Sequence, residues 1–329
     1  MLGVESSAPA VSRSFGELES HRRELTGYCY RMLGSPFEAE DAVQDTLLRA
    51  WRGLERFEGR ASLRSWLYRI ATNVCLDMLE GRKGRARPMD LGAARSPDGP
   101  IGEILPEVTW IEPVPDGRVL AEDDPAAVAE SRETIRLAFV AALQHLPPRQ
   151  RAVLILAEVL QWKASEVAEL LDTTVAAVNS ALQRARAGLE AGDVADAGDG
   201  QLSEHERELL SRYVDAFQRY DMDALTALIH EDATQSMPPY ELWLSGRRDI
   251  LGWWVGPGAA CRGSRVIATM AANGSPAFGQ YKPSETGTGY EPWALQVLEV
   301  ADGKIVEFTF FLATETIFPL FGLPPRLDA

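Results

Sequence analysis

One stretch near the middle of the chain, residues 84–130, cannot belong to the interior of a compact domain. It is rich in proline and glycine, and residues 88–130 contain two basic and ten acidic residues, a net charge of −8. Such a connection is too long for a loop inside one domain, so the segment is either a linker or a part that becomes ordered on a partner. Its candidate anchors are Ile104, Leu105, Val108, Trp110 and Ile111.

The charges on either side of this segment are distributed unevenly. Residues 15–87 have a net charge of +2 and residues 131–190 a net charge of +1, whereas residues 191–329 have −10. The chain of 329 residues therefore has a net charge of −15, yet its first and third blocks are slightly basic. Because DNA binding needs cations that neutralise phosphate, we expect DNA contact only in those two blocks.

Counts of residue types exclude several kinds of site. The N-terminal MLGVESSAPAVSRS has no apolar run, and no stretch approaches the roughly 20 apolar residues that cross a bilayer, so neither a signal peptide nor membrane contact is expected. Cys29, Cys75 and Cys261 lie far apart and predict reduced thiols in a cytoplasmic protein. No cluster of cysteine and histidine has metal-ligand spacing, and we expect no metal and no cofactor.

Two amphipathic helices are predicted at the start of the first block. Residues 15–33 form one that ends at Gly34, and the next follows Ser35, a strong N-cap in front of a proline. Apolar residues of the second helix face inward and leave a polar face with one leucine exposed. That face comprises Asp41, Gln44, Asp45, Leu48 and Arg49.

A third helix is predicted within residues 61–85, ASLRSWLYRIATNVCLDMLEGRKGR. Its apolar residues recur every three or four positions and place Trp66 on the buried side. The opposite side combines cations, a ring and an amide in Arg64, Tyr68, Arg69 and Asn73. A face of this composition is either a solvated helix surface or a nucleic-acid surface on which rings stack on bases.

The third block and the last third of the chain predict different folds. In residues 131–190, WKASEVAELL, a DTT turn and VAAVNSALQRARAGL are typical of a helix-turn-helix. From about residue 202, helices are followed by strand-like segments that we interpret as a run of antiparallel strands. The predicted fold class is multidomain, with two all-α domains and a C-terminal α+β domain.

These segments resemble a known family. EAEDAVQDTLLRAWRGLERFEGRASLRSWLYRIATNVCLDML resembles region 2 of the sigma-70 family, and LPPRQRAVLILAEVLQWKASEVAELLDTTVAAVNSALQRARAGL resembles region 4. The short form resembles the extracytoplasmic-function (ECF) group. The last third resembles the SnoaL-like (nuclear transport factor 2-like) cone, a fusion similar to a subgroup known from actinobacteria. The expected domains are region 2 at 15–87, an acidic linker at 88–130, region 4 at 131–190 and the SnoaL-like domain at 202–329.

The resemblance implies a cytoplasmic, non-enzymatic initiation factor that binds promoter DNA and core RNA polymerase, at its clamp coiled coil and flap. The exposed polar face of the second helix, together with Trp51, would dock on the clamp coiled coil. Acidic residues and a leucine suit the basic flanks and the apolar seam of a coiled coil.

The third helix would read the minus-ten element on the separated non-template strand. Stacking on a ring or on an arginine plane contributes about 1–3 kcal/mol per base, and a flipped base needs a pocket, here expected in the loop Phe57–Leu63. Four basic residues would follow the DNA backbone: Arg82, Lys83, Arg85 and Arg87. The residues expected at the minus-ten element are Phe57, Arg60, Ser62, Arg64, Tyr68, Arg69, Asn73, Arg82 and Lys83.

The last helix of region 4 would lie in the major groove at the minus-thirty-five element. The expected contacts are Thr174, Ala177, Asn179, Ser180, Gln183, Arg184 and Arg186. The chain departs from the family pattern with Asn179 and Ala181 in place of cations, Lys163 in place of a serine cap and Asp172 in place of a turn glycine. Fewer cations predict weak binding by this domain alone, with readout by Asn179 and Gln183, which can bond adenine bidentately.

For the acidic linker two roles stay open, a segment that occupies the polymerase channel later taken by RNA, or a solvated tether. The resemblance also implies that the SnoaL-like domain packs on regions 2 and 4 and regulates them. The candidates for a pocket that takes a small-molecule ligand are Trp243, Trp254, Trp293 and Phe310. No catalytic residue is identified.

Two other functions stay open. The C-terminal cone could be a small-molecule enzyme or sensor that the helical blocks only target to DNA. The chain could also be an ordinary helix-turn-helix regulator that never binds polymerase. The helix with Asp41 and Asp45 argues against the second function, because such a regulator has no use for that face.

Overall fold

The computed structural model describes residues 15–57, 59, 61–120, 132–190, 203–285 and 287–328. The contacts among their Cα atoms divide the chain into two compact units. The described part of the first unit comprises residues 15–84, 117–120 and 138–190. That of the second comprises residues 85–116, 132–137 and 203–328.

The first unit is helical. Residues 15–20 are helical and lead through a turn at His21 into α1 (Arg22–Leu33), so the single helix predicted over 15–33 is broken. Its predicted end is confirmed, because Gly34 takes a φ of 73°. The predicted N-cap of the next helix is also confirmed, since Ser35 Oγ accepts from the Glu38 backbone N–H at 3.3 Å. The helices that follow are α2 (Pro36–Gly53), α3 (Leu63–Leu79), α4 (Leu137–Gln144), α5 (Pro148–Leu154), a π-helical turn (Ile155–Val159), α6 (Ala164–Leu170) and α7 (Val175–Glu190).

The turn between α6 and α7 confirms the predicted helix-turn-helix. Asp172 takes a φ of 50° there, at the position where the resemblance expected a glycine. A short polar side chain tolerates this left-handed conformation better than most residues do. α6 and α7 pack against each other, and α5 packs on α7.

A buried arginine connects α5 to α1. Arg151 is 1% exposed, and its guanidinium donates to the backbone oxygens of Met32, Gln144 and Leu146. It also donates to Gln144 Oε1 at 2.7 Å. Burial lowers the pKa of Arg151 to about 10, because water no longer stabilises its charge.

The second unit contains six strands, β1 (Ile229–Ser236), β2 (Trp243–Ser245), β3 (Arg265–Ala268), β4 (Ala277–Pro283), β5 (Tyr290–Ala301) and β6 (Lys304–Phe311). They form one sheet with the order β2-β1-β6-β5-β4-β3. The sheet is mixed, since β1 pairs with β6 in parallel, so the expected run of purely antiparallel strands is wrong at this pair. The sequence prediction also missed β2, a short strand at one edge.

Each face of this sheet is covered by helices or by coil. The inner face packs on α8 (Glu204–Arg219), α9 (Met222–Leu228) and α10 (Arg247–Val255), with Tyr213, Trp254 and Phe308 in one aromatic core. The outer face carries α11 (Thr314–Leu320) and the residues after it. There the Phe318 ring lies 5.2 Å from that of Tyr281.

Part of the acidic segment belongs to the second unit. Trp110 and Ile111 are each 3% exposed and Val114 is fully buried, so a solvated tether is wrong for this part of the chain. Ile104 and Val108 are 64% and 60% exposed, and they are not the buried anchors that the sequence suggested.

One turn of the sheet holds this segment. The Asn273 side chain accepts from the Val114 N–H at 2.9 Å and donates to the Ile135 carbonyl at 2.6 Å. The Gly274 N–H donates to Asp116 at 2.7 Å. The contact therefore rests on hydrogen bonds to backbone groups, which a sequence pattern does not reveal.

Candidate nucleic-acid and polymerase interfaces

The polar face of α2 lies on the surface, as the sequence predicted. Asp41, Gln44 and Arg49 are exposed, Asp45 is half-buried, and Leu48 is 43% exposed. Arg49 pairs with Asp45 at 2.8 Å, whereas within the part of the chain that the structure describes no ion pair is found for Asp41. Trp51 is 48% exposed one turn further along. This face combines an anionic group with two apolar side chains that are each nearly half exposed, a composition that suits a basic partner with an apolar groove.

The face of α3 differs from the expected exposed row. Tyr68 is fully buried, and its hydroxyl donates to Glu24 at 3.3 Å. Arg64 pairs with the same carboxylate at 2.7 Å. Burial and the Glu24 charge raise the pKa of Tyr68 well above its usual range, so the phenol stays protonated as a donor. The expectation that this ring is free to stack on a base is therefore wrong for the arrangement seen here.

The remaining minus-ten candidates are at the surface where they are described. Asn73 and Lys83 are exposed, Ser62 caps α3 by accepting from the Ser65 N–H at 3.0 Å, and Arg82 pairs with Glu38 at 2.7 Å. Arg69 is exposed but donates to the Glu169 carbonyl at 2.5 Å. Arg60 lies outside the described residues.

Two of the four residues expected to follow the DNA backbone, Arg85 and Arg87, are engaged elsewhere. Arg85 is 6% exposed in the second unit, where it donates to the carbonyls of Glu107 and Trp110. Arg87 pairs with Asp90 at 3.4 Å. A phosphate-contacting role for Arg85 is therefore wrong in this arrangement, because its charge faces the interior.

A cleft of about 780 Å³ opens between the loop before α3 and helix α6. Phe57 and Trp66 stack there with ring centroids 4.8 Å apart and planes at 29°. Trp66 is half-buried and lines the cleft, so its expected position in the core is wrong. Spacing along α3 cannot reveal this, because the side of a helix that becomes core depends on where the preceding loop folds.

The minus-thirty-five candidates lie together on the exposed side of α7. Thr174 also caps this helix, since its Oγ1 accepts from the Ala177 N–H at 3.1 Å. Arg186 pairs with Glu158 at 2.5 Å, which offsets one of the few cations of this surface. The candidates that are exposed are Thr174, Ala177, Asn179, Ser180, Gln183, Arg184 and Arg186.

The candidate pocket residues of the second unit enclose little space. Trp254, Trp293 and Phe310 line one cavity together, but its volume is about 20 Å³, close to that of one water molecule. Trp243 does not line it; the indole N–H of that residue donates to the Gly92 carbonyl at 2.8 Å. Three of the four candidate pocket residues thus meet, in a cavity far smaller than the roughly 300–1,000 Å³ of ordinary ligand sites.

The polar groups near this cavity are satisfied within the protein. Tyr213 donates to Gln296 at 2.8 Å, and Gln296 donates to Gln280 at 2.9 Å. Trp254 donates to Gln235 at 2.7 Å. Burial raises the pKa of the Cys261 thiol, which keeps it protonated. Within the described residues no group of three or more metal-ligating side chains is found.

Sequence reasoning missed Trp162, Glu24 and Glu169. Trp162 is 9% exposed and its ring lies 5.1 Å from that of Tyr68. Glu24 holds Arg64 and Tyr68 through a separation of about forty residues in sequence. No local pattern signals such contacts, although a tryptophan directly before a helix-turn-helix is a hint that this end is buried. No described helix is long and apolar enough to cross a membrane.

Family models match three parts of the chain. Sigma-70 region 2 matches residues 18–85, Sigma-70 region 4 matches residues 136–189, and a SnoaL-like domain matches residues 210–308. These matches confirm the fold class, with α1–α3 in region 2, α4–α7 in region 4 and the sheet in the SnoaL-like domain.

Curated relatives agree with these matches. The chain is 46% identical over 316 residues to the ECF RNA polymerase sigma factor SigG of Mycobacterium tuberculosis. The aligned residues cover 94% of this chain and 83% of SigG. It is 31% identical over 218 residues to SigJ of the same species, and these aligned residues cover 66% of this chain and 62% of SigJ. The crystal structure of SigJ superposes with a TM-score of 0.61 at 22% identity, over 94% of this chain and 99% of that chain. The chain is similar to SigG over nearly its full length, and it has an exposed α7 and an α2 face with anionic and apolar side chains. It therefore belongs to the ECF RNA polymerase sigma factors and carries a SnoaL-like domain in its C-terminal part.

Proposed function

We propose that the chain binds core RNA polymerase through α2 and selects promoters with α3 and α7, itself without enzymatic activity, in the cytoplasm. The observation that carries the proposal is the α2 face, where Asp41, Leu48 and Trp51 are exposed although two of them are large apolar side chains. An uncovered apolar patch beside a carboxylate is typical of a protein interface.

Promoter contact would be divided between two helices. α7 presents Asn179 and Gln183 to a major groove, and both can read adenine through paired hydrogen bonds. The Arg186–Glu158 pair and the absence of a cation at Asn179 support weak phosphate neutralisation by region 4 alone. Promoter binding would therefore depend on the polymerase to hold both helices on DNA together.

The second unit would regulate the factor. Its turn at Asn273 binds the segment between regions 2 and 4 through backbone groups of Val114 and Ile135. A linker held in this way is not available to the polymerase channel. Regulation through the linker needs no ligand in the cavity of about 20 Å³ that Trp254, Trp293 and Phe310 line.

The experiment is co-elution and in vitro transcription with core polymerase and the full chain carrying Asp41→Arg and Asp45→Arg together. Reversing two charges at the centre of an interface costs several kcal/mol, so we expect at least about a hundredfold loss of core binding. The matched control is Glu204→Arg with Glu208→Arg, two exposed carboxylates with the same spacing on α8. Equal binding by the two double variants would refute the role of α2.

A further inference from the structure

The first turn of α7 presents an apolar side chain to solvent. Val175, the first residue of the helix, is 44% exposed, whereas Val178, three residues later, is fully buried. Thr174 fixes where the helix begins, because its Oγ1 accepts from the Ala177 N–H at 3.1 Å. The exposed valine is therefore held at a defined position at the start of the helix and is not part of the buried core.

Val175 shares one side of α7 with the two amides proposed for base readout. Val175, Asn179 and Gln183 are spaced by four residues and are all exposed, so they form one row along the helix. Four residues span about 6 Å of helix axis, which corresponds to roughly two base-pair steps of B-DNA. In the major groove, an apolar side chain finds one apolar feature on the base edges, the 5-methyl group of thymine.

The start of α7 lacks the side chains that read guanine. The residues exposed in its first two turns are Val175, Ala176, Ala177, Asn179 and Ser180, and none of them is a cation. Bidentate contacts to guanine come from arginine or lysine. The two alanines are small, so base edges can come close to the helix backbone and within reach of the valine methyl groups. This end of α7 therefore suits A·T pairs.

Phosphate contacts are expected to contribute little to binding by this helix-turn-helix. Glu166 and Glu169 on α6 and Asp172 in the turn are exposed carboxylates, and Arg186 on α7 pairs with Glu158 at 2.5 Å. Carboxylates near DNA oppose the neutralisation of phosphate on which affinity generally depends. Contacts to base edges must then supply a larger share of the binding free energy, and the apolar contact of Val175 is one of them.

We propose that Val175 is a specificity-determining residue of region 4, which packs on the 5-methyl group of a thymine in the minus-thirty-five element. This thymine lies roughly two base pairs from the adenine contacted by Asn179. The inference rests on the proposed function, because it takes α7 as the helix that reads the promoter. Burial of one methyl group changes affinity about fourfold, so the thymine should be preferred by about that factor over uracil, the same base without the methyl group.

The first experiment identifies the preferred promoter sequence. Core polymerase with the full chain transcribes a pool of templates whose minus-thirty-five element is randomised, and sequencing of the transcripts gives the preferred base at each position. We expect an A·T pair roughly two base pairs from the adenine whose preference is lost in Asn179→Ala. A preferred sequence without such a pair overturns the inference. Transcription that does not depend on the minus-thirty-five sequence refutes the promoter role of α7 in the proposed function instead.

The second experiment removes only the methyl group. In the preferred promoter this thymine is replaced by uracil, which keeps every hydrogen-bonding group of the base. Transcription by the wild type should fall about fourfold, whereas Val175→Ala should transcribe both templates equally, at about the lower level. Alanine has a higher helix propensity than valine, so this change keeps α7 folded.

The matched control is Val255→Ala, which alters an exposed valine at the end of α10 and should keep the wild-type preference for thymine. Equal transcription of the two templates by the wild type overturns the inference. A thymine preference that is unchanged in Val175→Ala overturns it as well, because the methyl group would then be read by another side chain.

Discussion

Asn273 offers the sharpest test of how the second unit holds the linker. The residue is fully buried and takes a φ of 55°, a left-handed conformation that asparagine tolerates better than alanine. Its side chain satisfies one buried N–H and one buried carbonyl, those of Val114 and Ile135, at 2.9 and 2.6 Å. The perturbation that removes both bonds is Asn273→Ala.

The magnitude follows from these contacts. Each buried backbone group that loses its partner costs about 1–3 kcal/mol, and the left-handed conformation costs alanine about 1–2 kcal/mol more. We therefore expect Asn273→Ala to lower the free energy of unfolding by about 3–8 kcal/mol, a large part of the roughly 5–15 kcal/mol of a typical domain. Asn273→Gly also loses both bonds but keeps the conformation, so it should cost about 1–2 kcal/mol less than alanine.

The assay combines urea unfolding of the full chain with hydrogen exchange of residues 110–116. Exchange in this segment should rise in Asn273→Ala before the sheet itself unfolds, because the linker contact is lost locally. Asn73→Ala, at an exposed position on α3, is the control and should stay within about 0.5 kcal/mol of the wild type. Wild-type stability together with wild-type exchange in Asn273→Ala would refute the argument. Raised transcription by Asn273→Gly would support regulation through the linker.

Two further predictions concern charge and base readout. Burial raises the pKa of Glu299 to about 7, although the bonds from Arg136 and Ser275 lower it. The folded state therefore holds a proton that the unfolded state releases near pH 4.5. The free energy of unfolding of the wild type should then fall by up to about 3 kcal/mol as the pH rises from about 4.5 to about 7, and this fall should be absent in Glu299→Gln. A wild-type stability that does not change with pH in this window, or an equal fall in Glu299→Gln, would contradict the assignment. For base readout, Asn179→Ala should weaken transcription from some single-base promoter variants by about tenfold and leave others unchanged, whereas a uniform loss across all of them would exclude specific recognition by this side chain.

Much of the architecture could be predicted from local patterns. The Ser35 cap, the Gly34 end and the exposed face of α2 each depend on neighbours within one or two helical turns, so periodicity and capping rules suffice. The exposed row on α7 follows in the same way. The mixed sheet could not be predicted, because strand-like segments do not specify which strands pair or in which direction, and β1 pairs with β6 about 70 residues later.

The sequence by itself determined where helices and strands form, and which helix faces are polar, because those properties depend on residues close together in the chain. Only the tertiary structure decided which polar faces stay accessible. Tyr68 has the spacing of a surface residue, yet Trp162 and Glu24 enclose it, and Arg85 turns inward toward carbonyls of the segment that follows it. Burial of a polar side chain depends on partners distant in sequence that satisfy its hydrogen bonds, and these partners are known only once the chain has folded.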